Sequence, residues 1–108
     1  MRVKAAIGRR LADPDLDTAA ISAETGLKPR YLNALFEAVG TSLMRYVWGC
    51  RLGNCRRDLL DPRHAKESVQ DIAFRWGFSD SAHFSRAFRR RFGCPPAQFR
   101  HCGGERPS

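Results

Sequence analysis

Lysine is scarce in this chain: of its 19 basic residues only Lys4, Lys28 and Lys66 are not arginine. No apolar run approaches the roughly 18 residues of a membrane span, and the N-terminus lacks the apolar core of a secretory signal. The chain is therefore expected in the cytoplasm, away from any membrane. Its four cysteines, Cys50, Cys55, Cys94 and Cys102, show no CxxC spacing. Two of them fall on one expected helix, so reduced thiols fit better than disulfides. Cys94, His101 and Cys102 match no zinc-ligand spacing and lack a fourth ligand. No metal or other cofactor is expected. No recognisable nucleophile motif is present either, so no catalytic residue is named and the chain is not expected to be an enzyme.

The 108 residues are enough for one domain with a modest core. A formal charge of +8, from 19 basic against 11 acidic residues, favours a polyanionic partner, most often nucleic acid. Arginine in place of lysine suits bidentate contact with phosphate or guanine.

Residues 72 to 93 organise the rest. They read as a short helix, a tight turn at Gly77 and a second helix starting near Asp80. At 100° per residue, Phe84, Ala87, Phe88 and Phe92 fall on one side of that second helix. Ala82, His83, Arg86, Arg89 and Arg90 fall on the other. An apolar stripe seats such a helix on a core, and the basic face suits a helix-turn-helix whose second helix enters the DNA major groove. The competing reading is an amphipathic helix with a solvated basic face.

Taken in order, the chain offers a helix over 3 to 11 (Val3, Ile7, Leu11), ended by Asp13-Pro14-Asp15. A second runs from Thr18 to Thr25, capped by Asp17 or Thr18, and Gly26 turns it into a third from Pro29 to Val39. Proline at a first helical position is favourable, although Lys28 is a poor cap before it. A long helix from Ser42 to Leu60 follows, containing Gly49 and Gly53, for which close packing is the expected reason. Residues 61 to 67 read as a polar linker, and Ser68-Val69-Gln70-Asp71 as a capping box. The sixth helix ends at Gly93, Pro95-Pro96 starts a last helical turn reaching Phe99 and Arg100, and residues 101 to 108 read as a frayed tail. The two tryptophans, Trp48 and Trp76, are assigned to the core.

A repeat links these pieces. Ile21 to Gly26 corresponds to Ile72 to Gly77, Leu27 to Phe78, and the pair Leu32 and Phe36 to Phe84 and Phe88, with one extra residue in the second turn. The expected architecture is all-α: seven helices forming two helix-turn-helix units, residues 1–41 and 61–100, joined by a linker helix over 42–60. Such a linker spans about 28 Å. Successive turns of one DNA face lie roughly 34 Å apart. One chain, acting as a monomer, could thus place two recognition helices in adjacent major grooves of double-stranded DNA.

These residues resemble the DNA-binding domain of the AraC/XylS family of bacterial transcriptional regulators over about Ile7 to Arg100. The strongest matches are Ile72-Ala73, Gly77-Phe78-Ser79-Asp80, Phe84-Ser85-Arg86-Ala87-Phe88, and Phe92-Gly93 with Pro96 and Phe99-Arg100. Gly26-Leu27, Arg30-Tyr31-Leu32, Phe36 and Arg51-Leu52 also fit. The resemblance implies two helix-turn-helix units and transcriptional activation through RNA polymerase. It further implies that an effector-sensing or dimerisation domain belongs to a longer protein. It makes Arg51 structural rather than a DNA contact. Three positions depart from the pattern: Lys28 for a capping serine or threonine, Ala34 for a long polar residue, and Pro95 for the serine before Pro96.

Side-chain chemistry then divides the roles. On the third helix Leu32, Leu35, Phe36 and Val39 are expected inside, with Arg30, Asn33, Ala34 and Glu37 outside. Arginine can grip guanine O6 and N7, asparagine adenine N6 and N7, and Ala34 at most a thymine methyl. For Arg30 and Asn33 phosphate contact stays open. On the sixth helix Ser81, Ala82, His83 and Arg86 are the candidates for base contact, His83 being equally readable as a hydrogen-bonded structural histidine. Arg89 and Arg90 are assigned to phosphate, and Arg91 to a packed, ion-paired position. Thr18, Ser42, Ser68 and Ser79 stand at helix starts, where free N–H groups attract phosphate, and each is also a candidate cap. Two other functions remain in competition: a module that binds polymerase or a partner regulator, and the DNA-binding part of a repair enzyme.

Overall fold

Every regular element of the computed structural model, which describes residues 2–103, is helical. The chain divides into two units, one running through Arg51 and the other from Leu52 onward. Helices α1 (Arg2–Arg9), α2 (Thr18–Thr25) and α3 (Pro29–Glu37) form the first unit with the N-terminal half of α4 (Leu43–Leu60). The second holds the rest of α4, a 3₁₀ turn at Pro62–His64, α5 (Val69–Arg75), α6 (Ser81–Phe92) and α7 (Pro96–His101). The seven helices and their order match the sequence reading.

In the first unit the core is built by one face from each helix: Val3, Ile7, Ile21, Leu32, Phe36 and Val47 are all at most 2% exposed. Capping explains where α2 starts. The Asp17 carboxylate accepts the Ala20 N–H at 2.8 Å, so Asp17 rather than Thr18 is the cap. Gly26 takes φ 75°, a left-handed geometry that glycine adopts without a Cβ clash, and its N–H closes on the Ser22 carbonyl. Lys28 makes no capping bond and Pro29 follows it, as the sequence indicated.

In the second unit the aromatic stripe of α6 is the core. Phe84 and Phe88 are fully buried, and rings meet in sequence: Phe78 with Phe84 at 4.9 Å, Phe84 with Phe88 at 5.7 Å, Phe88 with Phe99 at 5.4 Å. Burying each phenylalanine contributes about 1.5 to 3 kcal/mol. The turn before α6 closes differently from its counterpart. Gly77, at φ 96°, donates to the Phe74 carbonyl, and Phe78 donates to Ala73. Ser68 caps α5 through Asp71 N–H at 2.9 Å, and Asp80 caps α6 through Ala82 N–H at 2.9 Å.

Several expectations change. The first helix stops at Arg9 because Arg10 N–H bonds to Ile7 and Asp13 N–H to Arg10, tight turns that still bury Leu11. The third stops at Glu37. Gly40 N–H reaches back to Glu37 and Thr41 N–H to Phe36, swinging Val39 out to 73% exposure instead of into the core. Leu35 is half-buried. Ser42 caps the long helix rather than beginning it, its Oγ accepting the Arg45 N–H at 3.1 Å. The expected linker over 61 to 67 contains the 3₁₀ turn, capped by Asp61. There Arg63 grips the Asp61 carboxylate and holds its pKa down to about 2. His101 closes α7 rather than opening a tail, and residues 104–108 of that tail lie outside the described residues. Trp48 and Trp76 are half-buried, not core.

Gly49 and Gly53 also depart from expectation. A Cβ at either position would meet nothing within 4 Å, so close packing does not account for them. Both sit inside α4 with ordinary helical φ. Glycine there costs helix stability without a compensating contact. Gly49→Ala and Gly53→Ala should each raise stability by roughly 0.5 to 1 kcal/mol. A higher urea midpoint at unchanged m-value would confirm this; a lower midpoint would show that something does approach those positions.

Candidate nucleic-acid interface

On α3 the helical period sorts side chains into two sets. Leu32 and Phe36 face the core, and Phe36 meets the Tyr46 ring at 5.4 Å. Arg30, Tyr31, Asn33, Ala34 and Glu37 are exposed. Arg30, Asn33 and Ala34 stand three and four residues apart, so they share one face and adjoin one another. Arg30 makes no ion pair among the described residues, which leaves its guanidinium available to an outside acceptor. Tyr31, 52% exposed, was matched to the family in sequence but given no role. It lies three residues before Ala34 on the helix.

On α6, Ser81, Ala82, His83, Arg86, Arg89 and Arg90 are all exposed. The His83 ring stands 5.6 Å from Phe78 at an angle of 60°, so one side of it is packed on the core aromatic cluster. Arg91, expected to turn inward and pair, is exposed instead and has no ion pair among the described residues. The reason lies in register: Phe88 and Phe92 already fill the inward positions of the last turn. Arg89, Arg90 and Arg91 therefore form a basic end to the helix. That placement also complements the negative C-terminal end of the helix dipole.

The helix starts behave differently from expectation. Thr18 is half-buried as the first residue of α2, and Ser79 is exposed, one position ahead of the Asp80 cap. At both starts the cap is thus a carboxylate, Asp17 or Asp80, rather than the hydroxyl. Ser42 and Ser68 are exposed and do cap their helices. At α4, Arg45 is exposed in the first turn beside Ser42.

Behind these faces lie two polar assemblies with little or no sequence signature. Arg51, fully buried, donates from Nε to the Leu11 carbonyl at 2.9 Å and from Nη2 to the Asp13 carbonyl at 2.5 Å. Its guanidinium lies 4.5 Å from the Trp48 ring centre. Burial lowers its pKa while the nearby Asp13 carboxylate opposes the shift. This fits the structural role that the resemblance implied. In the second unit Asp58, 4% exposed, accepts the Trp76 indole N–H at 2.7 Å. Arg57 lies 3.4 Å from it and Arg75 3.6 Å. Arg75 also pairs with Glu67, which contacts His64. The Asp58 network was not foreseen, since an i, i+18 indole–carboxylate bond leaves no periodic trace. Cys55 and Cys94 are buried, Cys50 half-buried and Cys102 exposed, and burial pushes the Cys55 thiol up to about 12. No group of three or more metal-ligating side chains occurs among the described residues. None of the described helices is long and apolar enough to cross a membrane.

The comparisons with known proteins follow the same lines. The family model described as "Helix-turn-helix domain" matches residues 8–101. The transcriptional activator NphR of Rhodococcus sp is 37% identical over 99 residues, covering 92% of this chain and 29% of that protein. The transcriptional activator RhrA of Rhizobium meliloti is 31% identical, covering 91% and 31%. The activator RhaS of Klebsiella pneumoniae is 43% identical over 81 residues, covering 74% and 28%. The chain thus spans under a third of the length of these curated relatives. Among solved structures, a DNA-binding transcriptional dual regulator from Escherichia coli K-12 superposes with a TM-score of 0.83 at 21% identity, covering 94% of this chain and 93% of that one. The C-terminal domain of AraT, a response regulator from Geobacillus stearothermophilus, gives 0.82 at 24% identity, covering 99% and 85%. These two likenesses are of fold.

Because Arg86, Arg89 and Arg90 make no ion pair among the described residues, the fold does not depend on them. Replacing each by alanine should change unfolding free energy by no more than about 0.5 kcal/mol. Chemical denaturation of the three variants checks this, and a loss of more than about 1 kcal/mol would place the side chain in the structure rather than on its surface.

Proposed function

Since the chain belongs to the AraC/XylS family of helix-turn-helix domains, we propose that it binds double-stranded DNA sequence-specifically and regulates bacterial transcription. The observation that carries the reading is the exposed face of α3, where Arg30 and Asn33 stand side by side with no internal ion pair among the described residues. These side chains match the donor and acceptor patterns of guanine and adenine in the major groove. A second face supports it: the exposed arginines of α6, without an ion pair among the described residues and suited to a polyanion of any sequence.

In this reading Arg30 and Asn33 name individual bases, and Ala34 allows close approach or touches a thymine methyl. Ser81, Ala82 and His83 lie at the start of α6, the end that enters the groove first, and Arg86 contacts base or phosphate. Arg89 and Arg90 hold phosphate, joined by Arg91, and Ser42 is the best placed of the helix-start contacts. The chain acts as a monomer in the bacterial cytoplasm, each unit contributing one recognition helix to a single site, and RNA polymerase is its second partner. An effector-sensing or dimerisation domain would belong to a longer protein.

The two faces should separate in titration. Arg89→Ala and Arg90→Ala should weaken all duplexes alike, each lowering the slope of log K against log salt by about 0.9. Arg30→Ala and Asn33→Ala should each cost roughly 1 to 3 kcal/mol on the preferred duplex only. Affinities for preferred and scrambled duplexes at several salt concentrations test both. Equal losses on the two duplexes for the α3 variants would contradict the assignment.

A further inference from the structure

In each unit an arginine reaches back to two backbone carbonyls ahead of its helix-turn-helix pair. In the first, Arg51 on α4 donates to Leu11 at 2.9 Å and Asp13 at 2.5 Å, 40 and 38 residues earlier. In the second, Arg100 on α7 donates to Glu67 and His64, each at 2.5 Å, 33 and 36 residues earlier. The arrangement is the same in both. The arginine sits on the helix that follows the recognition helix, and the carbonyls belong to the segment that feeds the first helix of the pair.

We propose that Arg51 and Arg100 are equivalent positioning residues, each fixing how the recognition helix of its own unit is presented to DNA. The helix pair α2–α3 is joined to the rest of its unit at two ends: the segment before α2 and the helix after α3. Arg51 ties those two ends directly together, and Arg100 does the same for α5–α6. A guanidinium suits this task because its N–H groups form a rigid planar fork that fixes the spacing and the angle of two acceptors. An ammonium group offers charge without that geometry. Arg51 is fully buried against Trp48, and its Nη1 has no hydrogen-bond partner among the described residues. Its Nε and Nη2 each meet one of the two carbonyls, so one planar group fixes both acceptors. Arg100 is half-buried and performs the same closure.

The inference rests on the DNA-reading role of α3 and α6 proposed above, and the experiment separates the two. Arg51→Lys and Arg100→Lys in the full chain are titrated against the preferred duplex and one altered at the base pairs read by Arg30 and Asn33. Arg51→Lys should keep a cooperative melt, lose at least tenfold on the preferred duplex, and lose little on the altered one. Arg100→Lys should lose alike on both and lower the salt slope, because it displaces the arginines of α6. Two variants that weaken both duplexes equally with unchanged slopes, or that only lower the melting temperature, would overturn the proposal. A wild-type chain that does not distinguish the duplexes would instead sink the DNA-reading role. Native-state hydrogen exchange on the wild type then decides, as it does if a lysine variant fails to fold. Joint opening of the α2 and α3 amides supports the tie, and independent opening rules it out.

Discussion

A guanidinium removed from water needs acceptors inside the protein, and in the first unit two carbonyls meet that demand at Nε and Nη2 of Arg51, with Nη1 left without a partner among the described residues. Burial of an unsatisfied charge costs several kcal/mol, so the backbone carbonyls of Leu11 and Asp13 have to stand where the fork can reach them. That requirement sets the course of the chain between α1 and α2. It explains why α1 ends at Arg9 in tight turns, although the apolar repeat would carry a helix on to Leu11. The Asp13 carbonyl is occupied by Arg51 while its carboxylate accepts the Asp15 N–H at 2.9 Å and Arg10 at 3.1 Å. With those bonds the pKa of Asp13 is lowered, first by the Asp15 N–H and then by Arg10.

The second unit meets a comparable demand with a carboxylate. Asp58 is buried beside the indole N–H of Trp76, and the surrounding arginines supply positive charge. An apolar core of phenylalanine rings alone is tolerant of sliding, since rings pack in many offsets. A buried acceptor with one donor at 2.7 Å is far less tolerant, and it ties α4 to the end of α5, immediately before the Gly77 turn. On α6, Arg86, Arg89 and Arg90 are exposed and make no ion pair among the described residues. On α3 Leu32 and Phe36 hold the helix, and Arg30, Asn33 and Ala34 are exposed.

Much of this was legible because helical period is a local property. The burial of Leu32, Phe36, Phe84 and Phe88, the exposure of Arg30, Asn33 and Arg86, and the turns at Gly26 and Gly77 each follow from residues within a few positions of one another. What escaped notice depends on distance or on backbone. Carbonyls have no side-chain identity, so the acceptors of Arg51 and Arg100 cannot be read from residue types. Asp58 and Trp76 are 18 residues apart on different helices. Val39 fits the apolar period of α3, yet the turn through Gly40 begins before the period can place it. Tyr31 matched a family pattern, and its exposure beside Ala34 needed the fold. Gly49 and Gly53 resemble close-packing positions in sequence, and only the open space around them shows otherwise.

In the proposed function the chain names bases through α3 and grips the phosphate backbone through α6. Selection of bound duplexes from a random pool by the wild-type chain, followed by sequencing, tests that most directly. The account predicts enrichment of a two-part motif, with one part sharply specified in guanine or adenine and the other only loosely constrained. Recovery of an unenriched pool, or of a motif with a single short part, would contradict it.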